Sequence, residues 1–247
     1  AGAVTMADGT VWATNNGDVR VESTAAGLTL GLINAGSAGN VALLALAGDV
    51  TDLADANAAD VLAAGLLVRT VNLGSAANPV ETSVVTLAVN VTGTDLFVNE
   101  SSDVATGRVS VTAQRVALGG TATPLATQTL DDLTSAGVVV LTTVNGFLTI
   151  GDGDSDGTGV SAPGNIYLAS GETGDAGEDD ADDLTLNGAV VSTGGHITLV
   201  AADDLNFGVN GDVTTSAAGK NIDVTAGSDV VMVDGTVLTT NNSDVRV

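Results

Sequence analysis

The chain has no cysteine, only one histidine and three prolines, and few aromatic residues, which make up 2% of its 247 residues. Without cysteine there is no disulfide and no thiolate chemistry. Because 44% of the residues are hydrophobic but so few are aromatic, Val, Ala and Leu must build the core. These side chains cannot fill a wide interior, so the core has to be thin and regular.

Basic residues are also scarce, with six Lys and Arg against thirty Asp and Glu, for a net charge of −24. Such a chain repels nucleic acid and anionic membrane surfaces and attracts cations, above all Ca²⁺. No apolar run reaches transmembrane length, and the chain opens on Ala without a signal peptide. We therefore expect no nucleic-acid partner, no membrane insertion, and a processed product or a piece of a longer protein.

One short pattern recurs along the chain: a small residue, a polar residue, Val or Ile, any residue, then Val or Leu. Its period of two predicts a short strand with one buried face. In the clearest copies a second strand starts eight residues after Ile197, at Leu205, and a third follows a Gly turn at 210–213. The seven copies lie at 17–21, 39–43, 107–111, 164–168, 195–199, 220–224 and 243–247.

Three short strands within 22–25 residues cannot bury an apolar face alone, but stacked units can. The sequence therefore predicts an all-β fold, a right-handed parallel β-helix of about ten coils, as one domain over residues 1–247. A β-sandwich and a β-propeller fit the spacing less well. The stretch 52–65 is expected to form a loop or short helix on a decorated coil. The residues expected to point inward, in one column or two, are Val19, Val41, Val109, Ile166, Ile197, Ile222 and Val245.

The chain ends almost as it begins, since residues 1–21 and 227–247 match at thirteen positions. This echo predicts a longer repeat of about 226 residues, of which the chain would hold one copy and the first coil of the next. Val4 matches the second strand of the three-strand unit, and Val245 matches the first strand. A stacked copy would therefore continue the coil nearly in register. With apolar alternating strands and no cap at either end, both ends are expected to continue into a further coil.

The short G-N-I-x-L strands, the stretch "NPVETSVVTLAVNVTGTDLFVNES" at 78–101 and "VTMADGTV" at 4–11 resemble the repeats of filamentous-haemagglutinin-like bacterial surface adhesins. The resemblance implies a secreted, extracellular or cell-surface module that is structural or adhesive rather than an enzyme. It also implies self-association, as covalent tandem repeats or stacked subunits, with cell-surface glycans or other cells as further partners.

The sharpest local motif is "GDGDSDGTG" at 151–159, in which Asp152, Asp154 and Asp156 precede Gly157. Alternating carboxylates in a tight turn can converge on one hard cation, so we expect a Ca²⁺ site here. Pro163 stands where an EF-hand loop has its glutamate, so this is not an EF-hand. The alternative is a solvated acidic turn between two coils.

Other candidate residues favour structural interpretations. Ser155 matches G-x-S-x-G, but no helical pattern follows it, and His196 fills a polar slot that other strands give to Asp, Asn or Arg. Trp12 is expected to pack rather than to stack on a ligand, and Asn90, Asn99 and Asn241 are glycosylation sequons. An acidic insertion at 171–183 is expected to be a flexible loop, with cation binding as the alternative. Its acidic residues are Glu172, Asp175, Glu178, Asp179, Asp180, Asp182 and Asp183.

Two alternatives to an adhesin module stay open. The first is a calcium-dependent matrix or surface-layer component. The second is a β-helical carbohydrate-active enzyme, for which paired carboxylates would be the catalytic groups. The scarcity of basic and aromatic residues makes a poor sugar cleft and argues against the enzyme.

Overall fold

The computed structural model describes residues 2–7, 9–53, 59–173 and 182–247, and every regular element in them is a strand. Residues 54–58 of the predicted loop or helix lie outside the described residues, and residues 61–65 belong to a strand. The strands are β1 Val4–Thr5, β2 Val11–Ala13, β3 Val19–Ser23, β4 Leu28–Leu30, β5 Leu32–Asn34, β6 Asn40–Ala45, β7 Val50–Asp52, β8 Val61–Thr70, β9 Val80–Val91, β10 Phe97–Glu100, β11 Val104–Thr106, β12 Val109–Val111, β13 Gln114–Val116, β14 Ala122–Pro124, β15 Gln128–Leu130, β16 Leu133–Ser135, β17 Val139–Thr143, β18 Leu148–Ile150, β19 Thr158–Ala162, β20 Ile166–Ala169, β21 Leu184–Leu186, β22 Ala189–Ser192, β23 Ile197–Ala201, β24 Leu205–Phe207, β25 Val213–Ala218, β26 Ile222–Ala226, β27 Val230–Met232, β28 Leu238–Asn241 and β29 Val245–Arg246.

The strands stack in parallel from coil to coil, which confirms the predicted parallel β-helix. Val19 pairs with Val41 and Ile222 with Val245, so successive coils lie 22 and 23 residues apart. One side, which we call face I, carries a column of apolar side chains through the whole stack. Within the described residues this column has ten rungs: Val4, Leu28, Val50, Leu73, Leu96, Val139, Ile166, Ile197, Ile222 and Val245.

The second half of the helix has one strand on each of three faces, as predicted. Face I holds β17, β20, β23, β26 and β29. Face II holds β11, β18, β21, β24 and β27. Face III holds β16, β19, β22, β25 and β28.

The first half distributes its strands differently. There β6 alone covers two faces. Val41 belongs to a column of paired residues that continues through Leu66 and Leu87 into face II, and Leu43 belongs to a column that continues into face III. Face I is instead made of two strands, β4 and β5, with a bend at Gly31 between them. A coil of the second half therefore lacks the bend in face I that the first half has. It has an additional corner between faces II and III.

This change of contour corrects the expected strand phase. Val4 and Val245 lie in one column on face I, whereas Val230, the counterpart of Val4 in the echo, lies on face II. The two matching segments thus sit one face apart. The phase argument from the sequence is wrong, although Val4 of a stacked copy would still lie in line with Val245.

The core is the thin aliphatic interior that the composition predicts, and Phe207 is its largest fully buried side chain. The predicted inward residues form two columns, Val19–Val41 on face II and Ile166–Ile197–Ile222–Val245 on face I. At the end of face III, side-chain hydroxyls form hydrogen bonds to backbone carbonyls of the neighbouring coil region. Ser192 donates to the Gly164 carbonyl at 2.7 Å, and Thr215 donates to the Gly195 carbonyl at 2.8 Å.

Val109 was expected in the inner column, and that prediction is wrong. β12 pairs antiparallel with β15, and β13 with β14, so the segment after Thr106 is a hairpin inserted between faces II and III. Val109 and Val111 pack from outside against a second apolar cluster on β6, β8 and β9, which contains Ala42, Leu44, Leu67 and Ala88. An alternating strand pattern cannot tell this outer layer from a coil, because both bury one face.

Candidate metal site

The predicted calcium motif forms a tight turn between β18 and β19, held together by its own carboxylates. The Asp156 N–H donates to Asp152 Oδ1 at 3.1 Å and to Asp154 Oδ1 at 3.0 Å, and the Gly157 N–H donates to Asp152 Oδ2 at 2.8 Å. Asp156 Oδ1 accepts from the Thr158 N–H at 2.7 Å. These short-range bonds shape the loop.

A fourth carboxylate, which the sequence reasoning missed, joins this turn. Asp132, at the foot of β16, offers an oxygen within 4.8 Å of oxygens from Asp152 and Asp154. Its Oδ1 also accepts from the Gly153 N–H at 2.6 Å. The three-carboxylate group is therefore Asp132, Asp152 and Asp154, rather than the predicted set with Asp156. The stacking of β16 under β19 creates it, and no spacing in the sequence signals it.

Electrostatics at this group favour a cation. Burial first, and then repulsion from Asp154 and Asp152, raise the pKa of Asp132 to about 6. A hard divalent ion would relieve that repulsion. Arg108 already supplies one positive charge nearby, through a 2.6 Å salt bridge from its Nε to Asp131 Oδ1. The residues fit a Ca²⁺ ligand set, and the ion itself stays a prediction.

Several acidic and amide side chains of the described residues connect one coil to the next. They stand just before a strand and accept the backbone N–H of the equivalent residue in the next coil. Asp18 accepts from Asn40, Asp49 from Asn72, Asp204 from Asp229 and Asp212 from Val237, at 2.8–3.1 Å. Asp183, from the acidic insertion, accepts from Asp204 in the same way.

His196 belongs to this ladder. Its N–H donates to Asn165 Oδ1 at 2.8 Å, and its Nδ1 accepts from the Asn221 N–H at 3.1 Å. The ring is thus placed with Nδ1 as acceptor, so the proton of the neutral form lies on Nε2. The only histidine of the chain holds two coils together, in line with the interpretation as a slot beside a turn.

The remaining candidates are placed as follows. Ser155 has φ 68° in the acidic turn and is followed by β19, so it lacks the helix that a nucleophile elbow needs. Asn99 Oδ1 accepts from Thr142 and Asn241 donates to the Ser216 carbonyl, while Asn90 lies half-buried in β9. Trp12 lies on the first coil beside Ile33. Asp175, Glu178, Asp179 and Asp180 lie outside the described residues.

Comparison with known proteins adds no further guide. No protein-family model, no curated protein and no solved structure matches the chain. Among the described residues there is no helix long and apolar enough to cross a membrane.

Proposed function

We propose that the chain is a non-enzymatic structural module of an extracellular or cell-surface fibre or adhesin, which continues end to end into further β-helical coils. The observation that carries this proposal is the apolar surface at both ends of the stack. The filamentous-haemagglutinin-like resemblance of the strands supports the same assignment.

The C-terminal end of the stack, which we call the upper end, shows the apolar surface most clearly. Met232 is 41% exposed, although Phe207, directly below it in the same column, is 1% exposed. Val245 is likewise 41% exposed above Ile222, which is 1% exposed. One more coil would cover both, and burying such a side chain stabilises by roughly 1.5–3 kcal/mol. At the lower end, Trp12 is exposed beside the fully buried Ile33.

The hairpin supports continuation at the lower end. Thr112 N–H donates to Asp18, and Ala126 O accepts from Arg20, so both hairpin strands have reached the first coil at these residues. Residues 113–125 extend past it, and the tip exposes Val116 and Leu118. They would lie along the outside of any coil placed below, as Val109 and Val111 do along the coils above.

The charge of this overhang favours a second copy of the chain as the neighbour. Arg115 lies in the tip, whereas the last coil carries Asp229, Asp234 and Asp244, and its Arg246 is already paired with Asp223. A basic group on one end and acidic groups on the other suit a head-to-tail contact, which grows a filament because it does not close on itself.

The alternatives have weaker support. His196 and several aspartates, such as Asp204, form hydrogen bonds between coils, which fits a structural role. The group of Asp132, Asp152 and Asp154 keeps a calcium-dependent matrix or surface-layer component as the second candidate.

Sedimentation velocity and negative-stain microscopy test the stacking of subunits. The chain should form linear oligomers with rising concentration. A variant with Met232→Lys and Val245→Lys should stay monomeric, because charges on the rim oppose stacking. Val85→Lys, at an exposed side position in the middle of the stack, is the matched control and should assemble like the unchanged chain.

Covalent continuation needs its own test. Because Val245 pairs with Ile222, a copy of residues 225–247 can be joined after Val247 in the phase of the last coil. The added coil should raise the melting temperature and protect the amides of β27–β29 from hydrogen exchange. A monodisperse monomer at high concentration, together with no gain from the added coil, would refute the proposal.

A further inference from the structure

A second group of carboxylates lies in the first half of the helix, at the bend of face I, where β7 stacks on β4 and β8 on β5. Asp52 ends β7, Asp60 immediately precedes β8, and Glu81 stands in β9 directly above Asp60. One carboxylate oxygen from each lies within 4.8 Å of the other two. Asp60 is 1% exposed and Glu81 5%, whereas Asp52 is half-buried, so two of the three carboxylates are withdrawn from solvent.

Two of these carboxylates have oxygens without any donor. Asp60 Oδ2 accepts from the Glu81 N–H at 3.1 Å, but the buried Asp60 Oδ1 has no hydrogen-bond partner. The buried Asp52 Oδ1 has none either. A buried charge without compensation costs several kcal/mol, and proteins normally pair such groups or give them a metal ion.

Glu100, also in the core, shows how this chain satisfies a buried carboxylate without a cation. Its Oε2 accepts from Thr82 Oγ1 at 2.7 Å and from the Val84 N–H at 3.0 Å. Its Oε1 accepts from the N–H and the hydroxyl of Ser102, both at 3.2 Å. Four donors surround Glu100, whereas Asp60 Oδ1 meets other carboxylates.

The dimensions of the group suit a hard cation. Oxygens that bind Ca²⁺ lie 2.3–2.6 Å from it, so ligands on opposite sides of the ion are about 5 Å apart. Oxygens within 4.8 Å of one another can therefore share one ion. Ca²⁺ also accepts irregular sets of carboxylate and carbonyl oxygens, while Mg²⁺ demands near-octahedral geometry and keeps water.

We propose that Asp52, Asp60 and Glu81 form a buried Ca²⁺ site that ties β7, β8 and β9 together at the bend of face I. The site is distinct from the acidic turn at 151–157 and does not depend on the adhesin assignment. In place of the ion, a proton could occupy the group, since burial and then Asp52 raise the pKa of Asp60 to about 9. The two occupants lead to opposite results below.

The test is titration of the chelator-treated chain with Ca²⁺ by calorimetry, together with thermal melting with and without the ion. The unchanged chain should bind one equivalent of Ca²⁺ more than the Asp60→Asn variant does. Ca²⁺ should also raise the melting temperature of the unchanged chain by more than it raises that of the variant. Glu100→Gln is the matched buried control and should keep the equivalent. Asp154→Asn should also keep it, which separates this site from the acidic turn.

Several outcomes would overturn the site. It is refuted if Asp60→Asn binds as much Ca²⁺ as the unchanged chain, or if the unchanged chain binds only an equivalent that Asp154→Asn abolishes. An Asp60→Asn variant that is more stable than the unchanged chain in saturating Ca²⁺ would identify a shared proton instead. If Asp60→Asn does not fold, Asp52→Asn, which keeps the backbone of β8 untouched, answers the same question.

Discussion

Several acidic residues of the chain connect neighbouring coils through their side chains. Asp and Asn side chains before the strands accept a backbone N–H from the next coil, as Asp204 does from Asp229 at 2.8 Å. A hydrogen bond to a charged group contributes about 1.5–3 kcal/mol when it is well formed. A net charge of −24 is thus compatible with a stable stack, because some of the acidic side chains form hydrogen bonds between coils.

His196 allows a direct test of the ladder. His196→Ala removes the acceptor of the Asn221 N–H and should lower the melting temperature by about 2–4 °C, which corresponds to roughly 1 kcal/mol. His196→Asn restores an acceptor of the kind found at Asn165 and should recover most of the loss. Equal melting of both variants would show that the contact contributes nothing.

Glu100 should make stability depend on pH. Burial raises the pKa of Glu100 above its ordinary value, against four hydrogen bonds that lower it. A carboxyl with a raised folded pKa contributes stability that is present in acid and lost as the pH rises through that pKa. Glu100→Gln should therefore flatten this part of the pH profile of the unfolding free energy. An unchanged slope would assign the dependence to other groups.

At the level of elements, the sequence was sufficient for the strands and the direction of their pairing. Ile197, Leu205 and Val213 start the three strands of one coil, as their spacing predicts, because turn glycines and alternation act locally. The hairpin was missed, since "GRVSV" at 107–111 has the same alternation as a coil strand. Its distinguishing partners, Leu44 and Leu67, are far away in sequence.

Only the part of the candidate site that lies in one contiguous stretch of sequence was predictable. The turn at 151–157 is a contiguous motif, and its shape follows from its own hydrogen bonds. Asp132 and the buried group around Asp60 depend on which residues the stacking places above one another. That register cannot be read from a sequence whose coils vary in length and whose corners change midway.

The hairpin should be separable from the helix beneath it. Val111→Asp places a charge against the outer cluster of Leu44 and Leu67 and should release the hairpin without unfolding the coils. Hydrogen exchange should then lose protection at 109–112 and 128–130, while β23–β26 stay protected. Val116→Asp, at the exposed tip, is the control and should change neither.

Calcium at the acidic turn is a second test at this scale. Millimolar Ca²⁺ should stabilise the chain by mass action, and Asp154→Asn should remove the part that belongs to the turn. Asp156→Asn should have a smaller effect, because the carboxylate group here comprises Asp132, Asp152 and Asp154. If neither variant alters calcium-dependent melting, the turn is a solvated acidic loop.

At the scale of the whole molecule, most contacts join a coil only to its neighbours, as in other solenoids. The pairs Ile166–Ile197 and Ile197–Ile222 are typical of this arrangement. The hairpin is the exception, since it joins Thr112 to Asp18 and Ala126 to Arg20, which are 94 and 106 residues apart in sequence. It crosses β3, β6, β8 and β9 and binds them into one unit.

That hairpin makes the two halves unequal under mechanical load. When a fibre is pulled along its chain, the coils from β17 onward can peel away singly, each releasing about 80 Å of extended chain for some 23 residues. The coils beneath the hairpin cannot follow one by one, because Arg20, Asn40 and Arg69 each hold it by a hydrogen bond. Force spectroscopy should therefore record a series of small, even extensions followed by one larger rupture at higher force. Under load, such a protein would lengthen by unfolding its later coils one at a time, while the first coils beneath the hairpin stay folded.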